Sequence, residues 1–451
     1  LCHNGRFPRG INGTRQTSAI RPKSFAVPDA HPSICDRVCS AAKAAYVPRN
    51  NTRRRPNVID RRQTFNGENS APDPGIDANV SHRPGRSAAQ LARLAVRETV
   101  APSQYRLFGT SGRMAARPTR VDIEIADRCC LRCGMCDIWK HDGDGELSIN
   151  DWIQTLGALK QWLGTFRLTI TGGEPFMKKG IWRLLEYVAN IGIPTALITN
   201  GYMFNTATLD RLARLPLAQV AFSVDSLEAT THDGIRGVPG SLDRTLDAID
   251  GLASRRPRFL LASSTVVVEA NIRNLADIAV GMARRGCERI FFQPVQGGFT
   301  DDDGSNWPYD SPLWPRSAAD VEVSIDELLQ AQADGVPIAN TPAELESFRE
   351  YLKAGDSWVR PWDCTVNYST FHCDAYGEVR MCIPYAGAIG NVRTASPPAI
   401  WEGTLADRER TVVAGCTKPC LLTCNRTYSL TEKVQIGHRL LRHWADGSAD
   451  G

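Results

Sequence analysis

Residues 120–136 read RVDIEIADRCCLRCGMC. Arg120–Ile125 is a strand-like run, and the chain leaves it for a loop with four cysteines between Cys129 and Cys136. Working outward, five more strand-like runs follow at Phe166–Thr171, Thr195–Thr199, Gln219–Val224, Phe259–Val268 and Arg289–Gln293. Helix-like segments lie between them, near 148–163, 180–191, 206–214, 241–254 and 272–285. Strands alternating with helices at this spacing predict a parallel α/β sheet or an open barrel. In such folds ligands sit at the carboxyl ends of the strands, and the motifs of the barrel region fall there.

The flanks read differently. Residues 1–87 lack apolar periodicity and scatter Pro, Arg, Asn, Ser and Gly, as in Arg53-Arg54-Arg55-Pro56. Such a composition does not bury enough surface to offset chain entropy, so a disordered basic tail is expected. Residues 1–90 carry 15 Lys and Arg against 6 Asp and Glu. The chain opens on Leu1 and its first methionine is Met114, which reads as an incomplete or over-extended N-terminus. The remainder, 38 basic against 43 acidic residues, is mildly acidic, so nucleic-acid binding is not expected. An uninterrupted apolar run of about 18 residues is missing, and so is a secretory-type N-terminus; no membrane span and a cytoplasmic location are expected. The barrel should occupy 88–300. Residues 301–360 read as a linker with helices, such as Ser317–Ala333, and 361–428 as a small Cys-rich α+β domain. Ser429-Leu430-Thr431-Glu432 is a capping-box pattern that would open a last helix over 429–451.

Fourteen cysteines need a chemistry. Four fall between Cys129 and Cys136, and six between Cys364 and Cys424. In a reducing compartment, clustered thiols point to metal rather than disulfides. Cys129, Cys133 and Cys136 give a Cys-x3-Cys-x2-Cys frame; Cys130, Cys133 and Cys136 give an alternative x2/x2 frame. Three thiolates on a four-iron cubane leave one iron open for a small molecule, as catalytic zinc sites keep an open position. A structural zinc loop is the competing reading.

The loop, from Arg128 to Trp139, resembles the signature of the radical S-adenosylmethionine (SAM) superfamily, which usually carries Asn where Cys130 stands. The resemblance continues at Thr171-Gly172-Gly173-Glu174-Pro175, at Ser223 and Asp225, and at Arg236. It implies a partial (β/α)6 TIM-like barrel. It implies a [4Fe–4S] cluster on Cys129, Cys133 and Cys136, and SAM bound by Gly172, Gly173, Glu174, Pro175, Ser223, Asp225 and Arg236. Cleavage of SAM would yield a 5′-deoxyadenosyl radical that takes hydrogen from a substrate. Thr199-Asn200-Gly201 and Gln293 also end strands, where turn and strand-end chemistry is the favoured reading.

Cys364-x12-Gly377-x4-Cys382, then Gly390-Asn391, Trp401 and Cys416-x3-Cys420-x3-Cys424, resemble the SPASM or Twitch extension of such enzymes. A full SPASM run has more cysteines than remain here, so one auxiliary [4Fe–4S] cluster is implied. Its ligands would be Cys364, Cys382 and two of Cys416, Cys420 and Cys424, with Cys373 reading equally as a plain buried thiol. The implied partners are a small-molecule or peptide substrate and an external electron donor such as a flavodoxin or ferredoxin. No leader-peptide-binding domain is evident before the barrel, which tilts the reading towards a small molecule. The residues that act on the substrate are not legible. The alternative is a non-catalytic zinc or iron–sulfur protein.

Overall fold

The computed structural model describes residues 93–101, 105, 116–297 and 308–422. The described residues lie in the compact unit Gly75–Gly451. Six strands form its base: β1 (Arg120–Ala126), β2 (Arg167–Gly172), β3 (Thr195–Thr199), β4 (Gln219–Ser223), β5 (Leu260–Val267) and β6 (Arg289–Pro294). They stand in chain order, each parallel to the next. Each is followed by at least one helix: α1 (Ile149–Leu163), α2 (Ile181–Asn190), α3 (Thr206–Ala213), α4 (Ala229–Arg236), α5 (Ser241–Ser254), α6 (Leu275–Arg284) and α7 (Ala318–Ala333). This is the open, mainly parallel partial barrel that the strand–helix alternation predicts.

Local chemistry places the helix starts. Ser148 and Asp151 form a reciprocal capping box at α1, the arrangement that satisfies two otherwise orphaned N–H groups. Asn205 caps α3 and Ser317 caps α7. α4 has no counterpart in the sequence reading: Gly234 sits inside it, and Thr230, Thr231 and Asp233 weaken its apolar stripe. Packing holds it instead, through buried His232, Ile235 and Arg236.

Burial alternates along the strands. Val121, Ile123, Leu168, Ile170, Leu197, Val220, Phe222, Ile290 and Phe292 are buried in the main core. Their neighbours Asp122, Glu124, Thr169, Thr171, Ile198, Ser223, Ser264 and Gln293 are only half-buried. A parallel sheet covered on both faces reads as continuous apolar runs. Here one face stays uncovered and largely polar, so the sheet has an open interior.

The C-terminal part extends the same sheet. After α8 (Pro342–Ala354) and the short α9 (Val366–Ser369), β7 (Thr370–Cys373) pairs parallel with β1. β8 (Glu378–Arg380) and β9 (Ala388–Asn391) add antiparallel strands, giving nine in all. α10 (Pro397–Trp401) and α11 (Thr404–Ala414) follow. Trp401 is buried beneath Arg410, whose guanidinium lies over its ring at 5.0 Å and donates to its carbonyl. Among the described residues no helix is long and apolar enough to cross a membrane. Cys424 and the expected last helix lie outside the described residues.

Candidate functional site

The cysteine loop is held by backbone from the end of β2 and the end of α4. Gly173 and Glu174 donate their N–H groups to the carbonyls of Ala126 and Arg128, at 2.7 and 2.8 Å. Arg132 and Gly134 donate to the carbonyls of Arg236 and Ile235, at 2.9 and 3.1 Å. Both contacts require glycine. A Cβ on Gly173 would stand 1.9 Å from the Arg128 carbonyl oxygen. One on Gly237, whose φ is +71°, would stand 2.2 Å from that of Arg132. At Gly173 the glycine motif lets backbone approach backbone.

Glu174 is 1% exposed. Its Oε1 accepts from Phe176 N at 3.1 Å and Thr199 Oγ1 at 2.8 Å, and its Oε2 from Asn200 N at 2.9 Å. Burial pushes its pKa up to about 7 against those bonds. Glu174 thus ties the end of β2 to the end of β3, and Pro175 opens a short 3-10 turn beneath it.

Asn200 is the contact that the strand-end reading passed over. Its Nδ2 donates to Cys130 Sγ at 3.4 Å and Cys129 Sγ at 3.7 Å. Its position at a strand end was the available signal. A hydrogen bond from the Cys130 thiol pulls Cys129 down to about 6, and the same bond pushes Cys130 up. Burial raises Cys133, and pushes Cys136 up to about 11. A low-pKa thiol is the one ready to serve as a thiolate ligand.

Arg236 sits behind the loop. Its Nε lies 2.6 Å from Asp225 Oδ2, and its Nη1 donates to Cys133 Sγ at 3.7 Å. Burial works against the guanidinium charge, but Asp225 and Cys133 outweigh it and raise its pKa. Asp225, fully buried, also accepts from Val266 N at 2.9 Å. Its own N–H donates to His232 Nδ1 at 3.2 Å. Burial brings His232 down to about 4, so the ring is neutral near pH 7. Ser223 is half-buried at the end of β4. The structure thus brings Cys129, Cys133, Asn200, Glu174, Asp225 and Arg236 into one network, with Ser223 at its edge. Lower in the open interior, Glu124 Oε1 on β1 lies 3.6 Å from His372 Nε2 on β7.

The second thiol group is assembled from far apart in the chain. Burial pushes Cys382 up to about 12, and the nearby Cys420, Cys364 and Cys416 push it the same way. Cys364 in turn feels Cys416. Cys373 points elsewhere: it is fully buried on β7, and its charged neighbours are Asp374 and Glu124. Among the described residues no three His, Cys, Asp or Glu side chains come together tightly enough for a single metal ion. The donor chemistry nevertheless suits iron–sulfur clusters: the thiols of Cys129, Cys133 and Cys136 follow a strand end, and a second group of four has Tyr385 near Cys420, Cys382 and Cys416.

Residues 123–279 match the Radical SAM superfamily. The chain is 23% identical over 299 residues to the AdoMet-dependent heme synthase of Methanosarcina barkeri, covering 64% of this chain and 83% of that protein. It is 30% identical over 163 residues to the PqqA peptide cyclase of Rhodopseudomonas palustris, covering 36% of this chain and 42% of the cyclase. Among solved structures it is similar to Streptococcus suis SuiB bound to S-adenosylmethionine, with a TM-score of 0.55 at 16% identity over 69% of this chain and 72% of SuiB. SuiB has also been solved with its precursor peptide SuiA.

Proposed function

We propose that this chain, which carries a radical SAM superfamily domain over residues 123–279, cleaves SAM at the Cys129–Cys136 loop and acts on a peptide held in the open interior. The observation that carries the reading is the loop itself: three thiols in x3/x2 spacing, pinned by backbone to the ends of β2 and α4. Cys129, Cys133 and Cys136 would hold the [4Fe–4S] cluster; Cys364, Cys382, Cys416, Cys420 and Cys424 are the candidates for an auxiliary one. When bound, the reactive cluster supplies the electron that divides SAM into methionine and a 5′-deoxyadenosyl radical.

The chain's own part is placement and charge. Asn200 directs an N–H group at the sulfurs of Cys129 and Cys130, and Arg236 one at Cys133; on cluster ligands such contacts set the potential. Gly172, Gly173, Glu174 and Pro175 hold the strand end against which a bound SAM would lie, with Ser223, Asp225 and Arg236 on the neighbouring side. The half-buried residues Thr171, Ser223, Ser264 and Gln293 offer hydrogen bonds without charge at the upper rim.

Two relatives favour a peptide: the PqqA peptide cyclase and SuiB with its precursor peptide. A small molecule is the second reading, favoured by the heme synthase, whose match extends over more of both chains than that of the cyclase. The electron would come from an external donor such as a flavodoxin or ferredoxin. The test is anaerobic reconstitution with iron and sulfide, then reduction with dithionite in the presence of SAM. Release of 5′-deoxyadenosine is expected. A colourless protein that binds zinc and releases none would refute the proposal.

A further inference from the structure

Near the end of the described residues, the stretch 416–421 has no helix or strand of its own, yet it is fastened at both ends. At one end the Cys416 carbonyl accepts from Arg360 Nη2 at 3.0 Å, while Cys416 N donates to Val413 O at the end of α11. Arg360 Nε also donates to the carbonyl of Trp362, two residues before Cys364. At the other end, two glutamines from the end of β6 bracket Leu421. Gln293 Nε2 donates to the Leu421 carbonyl at 3.0 Å, and Gln296 Oε1 accepts from Leu421 N at 3.0 Å. The Gln296 amide is itself oriented, because its Nε2 donates to Val295 O at 3.2 Å. Gln296, Cys420 and Leu421 are all buried.

A ligand on irregular chain pays the ordering entropy of that chain when it binds, unless other contacts have already fixed it. Here both backbone groups of the residue after Cys420 are fixed by the barrel. Among the described residues Cys364, Cys416 and Cys420 are the thiol neighbours of Cys382, whereas Cys373 lies across from Ile123 on the apolar face of the sheet. A cubane with four thiolates has no place for a fifth.

We infer that the auxiliary site is completed by Cys364, Cys382, Cys416 and Cys420, without Cys424, and that Gln293 and Gln296 are the positioning residues that seat Cys420 in it. The inference rests on the auxiliary-cluster part of the proposed function. It makes the barrel part of the auxiliary site: the last thiol is held by the end of a barrel strand.

The experiment separates the two levels. A full-length parent with Cys129, Cys133 and Cys136 all changed to Ala is reconstituted anaerobically with iron and sulfide. Bound iron and the electron paramagnetic resonance signal after dithionite are then read. The parent should hold about four irons per chain. Adding Cys424→Ala should leave iron and signal unchanged, and adding Cys420→Ala should lower the iron at least about twofold. Gln296→Glu keeps the acceptor facing Leu421 N–H, gives up only the bond to its own neighbour Val295, and should retain the cluster. Gln296→Leu removes that acceptor, and Gln293→Glu sets a carboxylate against the Leu421 carbonyl; both should lose it to the same extent as Cys420→Ala. Far-UV circular dichroism checks that each variant folds, and if Gln296→Leu does not, Gln293→Glu against Gln296→Glu still decides the clamp. Loss with Cys424→Ala and retention with Cys420→Ala would overturn the ligand set. Retention in both disruptive glutamine variants would overturn the clamp. A parent without iron would refute the auxiliary cluster itself, a different failure from a wrong choice of thiols.

Discussion

The two thiol groups are built in opposite ways. The Cys129–Cys136 loop is short, follows one strand, and is held by backbone hydrogen bonds from the ends of β2 and α4. The second group runs from Cys364 to Cys420, and its last segment is held by the side chains of Arg360, Gln293 and Gln296. Backbone pinning survives most side-chain changes but tolerates no Cβ at the crossing points. Side-chain pinning has the reverse sensitivity. The first site is therefore vulnerable at its glycines and the second at its polar anchors.

The largest break in this comparison is chemical. Cys133→Ala should abolish 5′-deoxyadenosine release, a loss of at least about 100-fold, whereas Cys130→Ala should keep it, since Cys130 is outside the x3/x2 frame. Anaerobic product assay decides. Loss with Cys130→Ala and retention with Cys129→Ala would move the ligand frame.

Next comes the glycine crossing. Gly173→Ala places a Cβ on the Arg128 carbonyl and should cost ~3 kcal/mol or more of stability, read by urea denaturation of the metal-free protein. Removing one side-chain anchor of the second group, as in Arg360→Ala, should cost less than that. Equal losses would erase the contrast between backbone and side-chain pinning.

A comparable effect belongs to Glu174. Its pKa in the folded protein, about 7, lies above the ordinary carboxylate value of 4.5, so the folded chain holds the proton more tightly than the unfolded one. Its contribution is most favourable below about pH 4.5 and is lost as the pH rises through 7, by ~3 kcal/mol. Denaturant midpoints of the metal-free protein between pH 5 and pH 8 should fall more steeply for the wild type than for Glu174→Gln. Parallel slopes would show that Glu174 does not titrate in this range.

The smallest effect is expected at the N-terminal side. Arg97 donates from its guanidinium to the carbonyls of Leu163, Thr165 and Pro118, at 2.7, 2.8 and 3.0 Å. It thereby closes the amino ends of β1 and β2. A chain beginning at Ser87 keeps this clasp and should cleave SAM within about twofold of the full-length rate, while a start at Arg120 should unfold. Loss of activity on removing 1–86 alone would assign that segment a role that its composition does not suggest.

The strands were legible because their apolar runs are bounded by turn residues, and β1 to β6 end within a residue or so of where the runs end. The cysteine loop was legible because its ligands are local. Asn200 and the Leu421 clamp were not, because an amide at a strand end looks the same whether it caps a turn or reaches a thiol. The backbone crossing at Gly173 was not legible for a related reason: sequence shows that a side chain is absent but not what occupies its place.

Taken alone, the sequence determined the alternating strands and helices, the three-thiol motif and the clustering of the cysteines in two groups, since these depend on residue types and short spacings. Only the tertiary structure decided that β7 joins β1 in one sheet, that Arg236 spends its charge on Asp225 and Cys133, and that the end of β6 holds the segment of Cys420. Those are contacts between residues from 11 to 250 positions apart. Their energies depend on which groups lose water together, and spacing along the chain carries no record of that.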